Sequence, residues 1–193
     1  MTGDTLSSDW IRLLTGRGRR KFLIFDVLDQ YLGAKRKIID VGCGQGHVGI
    51  LLDGAGYSVT LFERDDSVMP TGLDLRLDFL VGELETVSSD LLSDLDILLM
   101  TQVDYAIDSI EIHKLLKNCL DSGTEVIFVT TQVLGPIGYF KNCVLAERRK
   151  LNPTLKVHGY RRSLGFYKKL GRVAGFASNN ISRLCGPMPE LSN

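Results

Sequence analysis

The feature that most constrains the fold is a glycine-rich turn that directly follows a short apolar segment. The chain reads Ile-Ile-Asp-Val from residue 38 and continues through Gly42, Gly44 and Gly46 into helical spacing. Alternating glycines let a backbone approach a ligand closely, and the free amides at a helix start favour an anionic group. A strand that enters a helix through such a turn is typical of α/β proteins that bind a ligand at this point.

Short apolar runs recur along the middle of the chain and predict a parallel sheet. We place strands at residues 37–41, 57–63, 78–81, 96–101 and 125–131. Successive apolar positions predict that these strands are buried on both faces. Helical spacing over 46–54 and 107–120 lies between them, so the order is that of βαβ units.

The first 36 residues are predicted to form a helical segment in front of the sheet. A basic run at 17–21 precedes an apolar helix face made of Phe22, Phe25, Val27, Leu28, Tyr31 and Leu32. A basic amphipathic helix can lie on a membrane surface. A helix packed on the sheet explains the same spacing and is the preferred interpretation.

Length and composition predict a single domain over residues 1–193. Hydrophobic residues make up 44% and charged residues 24%, a globular composition. No apolar run reaches the ~18 residues of a membrane span, and no basic region precedes an early apolar stretch, so we expect a cytoplasmic protein. Four widely spaced cysteines (43, 119, 143 and 185) favour buried thiols and predict no metal site.

The net charge of zero conceals an uneven distribution. Residues 38–135 carry four basic and seventeen acidic side chains, whereas residues 136–193 carry eleven basic and two acidic. The basic part is predicted to be a solvated face, and it would also suit an anionic substrate.

A carboxylate at the end of the second strand indicates that the ligand is a nucleoside. Glu63 follows Gly46 by seventeen residues and can accept both hydroxyls of a ribose. Residues 44–49 also satisfy the G-x-G-x-x-G dinucleotide pattern, but this match begins late and leaves Gly42 unexplained. Asp40, two positions before the first glycine, suits a ligand with a positive amino group. An amino-acid nucleoside therefore fits better than a pyrophosphate.

The motif Asp-Val-Gly-Cys-Gly-Gln-Gly at residues 40–46 resembles the first motif of the class I S-adenosylmethionine-dependent methyltransferases. Glu63 matches the family's ribose-binding acid, and Gly-Glu-Leu at 82–84 falls where the family places an acid near the adenine. Residues 95–102 and 115–129 resemble its fourth strand and the following helix, turn and strand. The segments 17–20 and 158–176 are similar to its small-molecule branch, which includes ubiquinone-biosynthesis-like and glycan-cluster enzymes.

The resemblance covers residues 17–184 and implies a Rossmann-like three-layer αβα sandwich with a mostly parallel central sheet. It implies S-adenosyl-L-methionine as the cofactor, methyl transfer as the reaction and a small molecule as the acceptor. The implied cofactor-binding residues are Asp40, Gly42, Cys43, Gly44, Gly46, Glu63, Arg64, Glu83, Leu84 and Thr101.

The acceptor side is predicted from position along the chain. Asp104 and Tyr105 follow the fourth strand, residues 133–158 form a segment that could cap the acceptor, and Arg161 and Arg162 suit an anionic one. Direct in-line displacement needs a positioned nucleophile, and His158 is the candidate general base. A surface or helix-capping role explains this histidine at least as well.

The chain also departs from the family pattern. Many members of the branch carry a Glu-His pair where residues 104–108 here contain no histidine, and Glu83 replaces the commoner aspartate. After a predicted sixth strand at 177–184 only nine residues remain, two of them proline, so the C-terminal edge hairpin is expected to be shortened.

Two other functions remain open on the sequence. One is a catalytically inactive nucleoside-binding regulatory or scaffold protein of the same fold, and the other is an NAD-dependent oxidoreductase. Nucleic-acid methylation is disfavoured, because the fourth strand ends in Met-Thr-Gln-Val-Asp and no basic stripe with interleaved aromatic residues is present. The sequence indicates no particular oligomeric state.

Overall fold

The computed structural model describes residues 16–34, 36–68, 77–103, 106–129, 162 and 164–176. Its helices are α1 (Gly16–Leu32), α2 (His47–Gly54), α3 (Ser89–Leu92), α4 (Ser109–Ser122) and α5 (Leu164–Ala174). Its strands are β1 (Lys37–Val41), β2 (Ser58–Glu63), β3 (Asp78–Val81), β4 (Ile97–Thr101) and β5 (Glu125–Val129), and short 3-10 turns occupy Asp66–Val68 and Leu84–Thr86.

The five strands form one sheet in the order β3-β2-β1-β4-β5, and all neighbouring pairs are parallel. Apolar side chains alternate between its two faces. Ile38 and Leu99 face a cluster that includes α1 and α2, whereas Ile39 and Leu98 face one that includes α3 and α4. α5 packs on α4. The predicted three-layer αβα architecture and parallel sheet are confirmed.

Local signals determine where the helices begin. Gly46 takes a left-handed conformation immediately before α2, which therefore starts at His47. At α4 the Asp108 side chain accepts from the Ile110 amide, and the Glu111 side chain accepts from the Asp108 amide. This capping box satisfies amides that the helix leaves without partners. α4 therefore starts at Ser109, two residues later than predicted.

The prediction that all five strands are buried was wrong for β3, and the first four residues of β5 are only partly buried. Leu80 and Val81 of β3 are exposed. Among the described strands β3 lies at the edge of the sheet and pairs with β2 alone, and only Phe79 of this strand packs against the core cluster of α1 and α2. An apolar run does not by itself show whether its strand lies at the centre or at the edge.

The predicted buried face of α1 was also wrong in part. Ile24, Leu28 and Leu32 are buried at four-residue spacing, whereas Tyr31 is 55% exposed and its hydroxyl donates to Glu125. The helix packs against the sheet, as preferred. Within the described part of the chain, no helix has both the length and the apolarity needed to span a bilayer.

Other predictions fall on residues that the structure does not describe. They are the cap at 133–158, the sixth strand at 177–184, the shortened C-terminal hairpin and the first fifteen residues of the chain.

Candidate active site

The site lies where the carboxyl ends of β1 and β4 meet. These strands are neighbours at the centre of the sheet, but the chain leaves β1 for α2 on one face and β4 for α4 on the other. Diverging connections open a crevice at such a switch point, and open α/β sheets bind ligands there.

The glycine turn forms one wall of this crevice. Gly42, Gly44 and Gly46 have φ of 70°, 56° and 66°, a region that side chains rarely adopt. The Gly42 amide donates to the Phe62 carbonyl at 2.8 Å, which fixes the turn to β2. A Cβ on Gly42 would lie 2.3 Å from Val103, whereas a Cβ on Gly44 would meet nothing within 4 Å. Gly42 therefore allows Val103 to pack closely against the turn, whereas Gly44 faces open space.

Glu63 joins β2 to the glycine turn. Its Oε2 accepts a hydrogen bond from the Gly44 amide at 2.8 Å, and its Oε1 accepts one from the Arg64 amide at 2.9 Å. A carboxylate oxygen has two lone pairs, so each oxygen can still accept a second donor. Glu63 can thus hold the turn and bind ligand hydroxyls together.

Asp40 is a buried carboxylate beneath the turn, only 1% exposed. Its oxygens accept no hydrogen bond of good geometry from the residues that the structure describes. Burial raises the pKa of Asp40 to about 7; the Lys21 ammonium opposes this rise, Glu63 adds to it, and the Gly49 amide also lowers the pKa. A buried carboxylate without partners is costly, so this position suits a cationic ligand group.

Cys43 contributes packing to the turn. It is buried, and burial together with the Asp40 and Glu63 carboxylates raises the pKa of its thiol to about 12. The neutral thiol is a weak nucleophile. Cys119 is also buried and free, on the other face of the sheet. The described residues contain no group of three or more acidic, histidine or cysteine side chains placed to hold a metal ion.

The remaining predicted cofactor residues border the same edge. The Gly82 amide donates to the Glu63 carbonyl at 3.1 Å, which brings the end of β3 beside the end of β2. Glu83 and Arg64 are exposed there, and Leu84 is half-buried. Thr101 is buried at the end of β4. The ten predicted positions therefore lie at, or just after, the carboxyl ends of four adjacent strands.

Sequence reasoning missed two residues at this edge. Gln102 has a φ of 59°, the only positive φ on a non-glycine residue in the described part of the chain, directly after β4. Such strain is common at functional sites, but no motif signalled it. Lys21 influences Asp40 from α1. Its spacing from Ile24 and Leu28, three and seven positions on, was the signal that could have revealed it.

Of the predicted acceptor residues, the structure describes only Arg162. Its buried guanidinium donates through Nη2 to the Ile107 carbonyl at 2.5 Å and to the Ser109 hydroxyl at 3.3 Å. It also lies 4.9 Å from the centre of the Phe166 ring. Arg162 thus joins α5 to the start of α4. Asp104, Tyr105, His158 and Arg161 lie outside the described residues.

Comparison with known proteins supports the fold. No family model and no curated protein sequence matches the chain. It is similar to the solved structure of a SAM-dependent methyltransferase from Archaeoglobus fulgidus, with 16% identity, a TM-score of 0.55 and coverage of 80% of this chain and 68% of that one. It is similar to magnesium protoporphyrin IX methyltransferase (ChlM) from Synechocystis PCC 6803 with bound SAH, with 15% identity, a TM-score of 0.57 and coverage of 89% and 84%.

A third similar structure is the pyocyanin biosynthetic protein PhzM, with 18% identity and a TM-score of 0.60. The match covers 93% of this chain and 56% of that one. At these identities the likeness establishes the fold, which is that of the class I S-adenosylmethionine-dependent methyltransferases.

Proposed function

We propose that the chain transfers a methyl group from S-adenosylmethionine to a small-molecule acceptor. The proposal depends on one observation: a buried carboxylate that accepts no hydrogen bond of good geometry from the described residues, a glycine turn and a second carboxylate lie side by side at the switch point of the sheet. The ligands recorded or named for the similar structures are consistent with it.

The site residues fit the chemical groups of this cofactor. Asp40 would accept from the ammonium of its amino-acid part, and Glu63 would accept from the ribose hydroxyls. Gly44 leaves open space for the chain between them. Glu83 and Leu84 would border the adenine. A pyrophosphate would instead meet two carboxylates, so the same site disfavours a dinucleotide.

When bound, the cofactor supplies a methyl group that its sulfonium already activates. The protein therefore has to hold the acceptor atom in line with the S–CH3 bond and exclude water, and such positioning is worth several kcal/mol, on the order of 7–11 in the most favourable cases. The segment after β4, from Gln102 through the predicted Asp104 and Tyr105, borders the acceptor side in this scheme. His158 remains the proposed base, and Arg161 the proposed contact to an anionic acceptor.

The first test is calorimetry on the purified chain with S-adenosylmethionine, S-adenosylhomocysteine and NAD. We expect the two sulfur nucleosides to bind and NAD to give no heat. Binding of NAD alone would contradict the proposal.

The second test measures turnover. The chain is incubated with methyl-labelled cofactor and a metabolite extract, and labelled products are identified by mass spectrometry. We expect at least one labelled small molecule, and roughly 10- to 100-fold less of it from a Glu63→Gln variant at limiting cofactor, in proportion to the lost charge-assisted hydrogen bonds. Tight cofactor binding without any labelled product would favour the inactive nucleoside-binding protein instead.

A further inference from the structure

We propose that Arg162 is a positioning residue: it holds the start of α4 and thereby fixes the acceptor segment, residues 102–108, which follows β4. The inference rests on the proposed function, because it concerns the acceptor side of the same site. It gives Arg162 a role different from the direct contact to an anionic acceptor that the sequence predicts.

The guanidinium of Arg162 is buried and bonded to the end of the acceptor segment. Only 5% of the residue is exposed, and a buried charge is stable only with hydrogen-bond partners. Its Nη2 donates to the Ile107 carbonyl and to the Ser109 hydroxyl, and a charged donor makes stronger hydrogen bonds than a neutral one. The Phe166 ring of α5 lies against the guanidinium. Arg162 is therefore held by α5 and itself holds the residues that enter α4.

The carbonyl that Arg162 binds is one that the helix does not use. The first backbone hydrogen bond of α4 runs from the Ile112 amide to the Asp108 carbonyl, so the Ile107 carbonyl lies one residue before the ladder of the helix. The Ile107 side chain packs between the cluster of α3 and α4 and the cluster of α4 and α5. Arg162 thus binds the residue at which the acceptor segment becomes a helix.

The beginning of the acceptor segment is held by other contacts. The Gln102 amide donates to the Val129 carbonyl at the end of β5, at 2.8 Å. Val103 packs against Gly42 of the glycine turn, and the Ala106 amide donates to the Val103 carbonyl at 2.8 Å. The described residues of the segment are therefore restrained where it leaves the sheet and, through Arg162, where it enters α4.

The backbone of the acceptor segment needs such restraints. Gln102 has a φ of 59°, and a non-glycine residue keeps a conformation of this kind only where its surroundings impose it. An acceptor atom has to lie in line with the S–CH3 bond, and a displacement of about 1 Å can lower the rate roughly 100-fold. By holding Ile107, Arg162 affects the rate of transfer without touching the acceptor.

The first test measures amide hydrogen exchange of the ligand-free chain by mass spectrometry. In Arg162→Met we expect the amides of Ala106, Asp108 and Ile110 to exchange roughly 10- to 100-fold faster, the effect of losing charge-assisted hydrogen bonds. The amides of β1 should exchange as in the wild type. Faster exchange throughout the sheet, or no change at residues 106–110, would overturn the inference.

The second test measures turnover with methyl-labelled S-adenosylmethionine and serial dilutions of the metabolite extract. For Arg162→Met we expect the maximal rate to fall roughly 10- to 100-fold, with an unchanged half-saturating amount of extract. Calorimetry should give an unchanged affinity for S-adenosylmethionine. Arg162→Lys keeps a charged donor and should recover much of the rate.

Ser109→Ala and Arg172→Met complete the series. Ser109→Ala removes only the weaker contact of Arg162 and should lower the maximal rate roughly 3-fold, so the test stands even if Arg162→Met does not fold. The matched control is Arg172→Met, which makes the same change at an exposed position in the last turn of α5. It should behave as the wild type in both tests.

Three results of the turnover test would overturn the inference while the proposed function stands. A higher half-saturating amount of extract with an unchanged maximal rate would show that Arg162 binds the acceptor directly. An equal loss of cofactor affinity would show a general disruption of the site, and an unchanged rate would show that Arg162 has no role. If the wild type gave no labelled product at all, the proposed function itself would fail, and this inference with it.

Discussion

The carboxylate of Glu63 connects two parts of the site that the sequence analysis treated separately, the ribose-binding position and the glycine turn. It was predicted as a ribose ligand because of its place at the end of β2. The structure adds that it accepts from the Gly44 amide, so it also sets the shape of the glycine turn. This contact spans nineteen residues and depends on the parallel pairing of β1 with β2, which local patterns do not specify.

At this scale we predict that Glu63→Gln weakens binding of S-adenosylmethionine roughly 10- to 100-fold, because it replaces charge-assisted hydrogen bonds with neutral ones. Stability should fall by only about 1 kcal/mol, since one of the two backbone amides loses its acceptor. Calorimetry and denaturant unfolding measure the two effects.

The control is Glu85→Gln, at an exposed position in the short turn after β3. It should change neither quantity. Unchanged cofactor affinity in Glu63→Gln would contradict the assignment of Glu63.

At the scale of the element, the glycine turn is a short segment in which each glycine has a different reason to be glycine. Gly42 has no space for a side chain beside Val103, whereas Gly44 has space but a left-handed backbone. Gly33, after α1, has a similar φ of 64° and also meets nothing within 4 Å. Replacing Gly33 therefore costs the same backbone strain as replacing Gly44, at a position far from the crevice.

We predict that Gly44→Ala and Gly33→Ala each lower the free energy of unfolding by roughly 1 kcal/mol, the usual cost of a left-handed conformation for a residue with a Cβ. Only Gly44→Ala should also weaken cofactor binding, because its methyl group projects into the space left for the ligand. Denaturant unfolding and calorimetry on both variants test this. Equal cofactor affinity in the two variants would show that the ligand does not approach Gly44.

The strands and α1 show which structural properties could be predicted from the sequence and which could not. The bounds of β1 and β3 agree with the sequence prediction, since apolar runs bounded by glycine or aspartate define strand ends well. The buried character of β3 could not be predicted, because exposure depends on which strand lies at the edge of the sheet. Tyr31 was assigned to the buried face of α1, although its environment is set by Glu125, far along the chain.

Lys21 shows a further limit of reading the sequence. It was grouped with the basic run at 17–21, because neighbouring charges suggest a solvated segment. Its spacing from Ile24 and Leu28 is equally visible in the sequence. The effect of Lys21 on the pKa of Asp40 appears only in the structure.

For the whole molecule, the buried Asp40 makes stability depend on pH. Its pKa is about 7 in the folded state and ~3.9 in an unfolded chain. Between these values the folded state holds a proton that the unfolded state has lost. Asp40 therefore lowers the free energy of unfolding as pH rises from about 4 to about 7, with little further change above that range.

We predict that Asp40→Asn is as stable as the wild type near pH 4 and more stable at pH 8, by a few kcal/mol, because each pKa unit corresponds to ~1.4 kcal/mol. The same variant should bind S-adenosylmethionine weakly at pH 8, since it lacks the carboxylate that faces the ammonium. Denaturant unfolding from pH 4 to 8 gives the first quantity, and calorimetry at pH 8 gives the second.

Asp121→Asn, at an exposed position near the end of α4, serves as the control and should follow the wild-type curve. A stability difference between Asp40→Asn and the wild type that stayed constant across the whole pH range would show that Asp40 does not titrate as inferred.

The packing of Val103 against Gly42 has a consequence for how ligands enter. Val103 fills the space where a side chain on Gly42 would lie, and the residues predicted to meet the acceptor begin at the next position. If the chain after β4 shifts when an acceptor arrives, Val103 moves with it and the nucleoside pocket changes shape. We therefore expect binding of the acceptor to change the affinity for the nucleoside, and binding of the nucleoside to change the affinity for the acceptor. The Val103 side chain would transmit much of this effect.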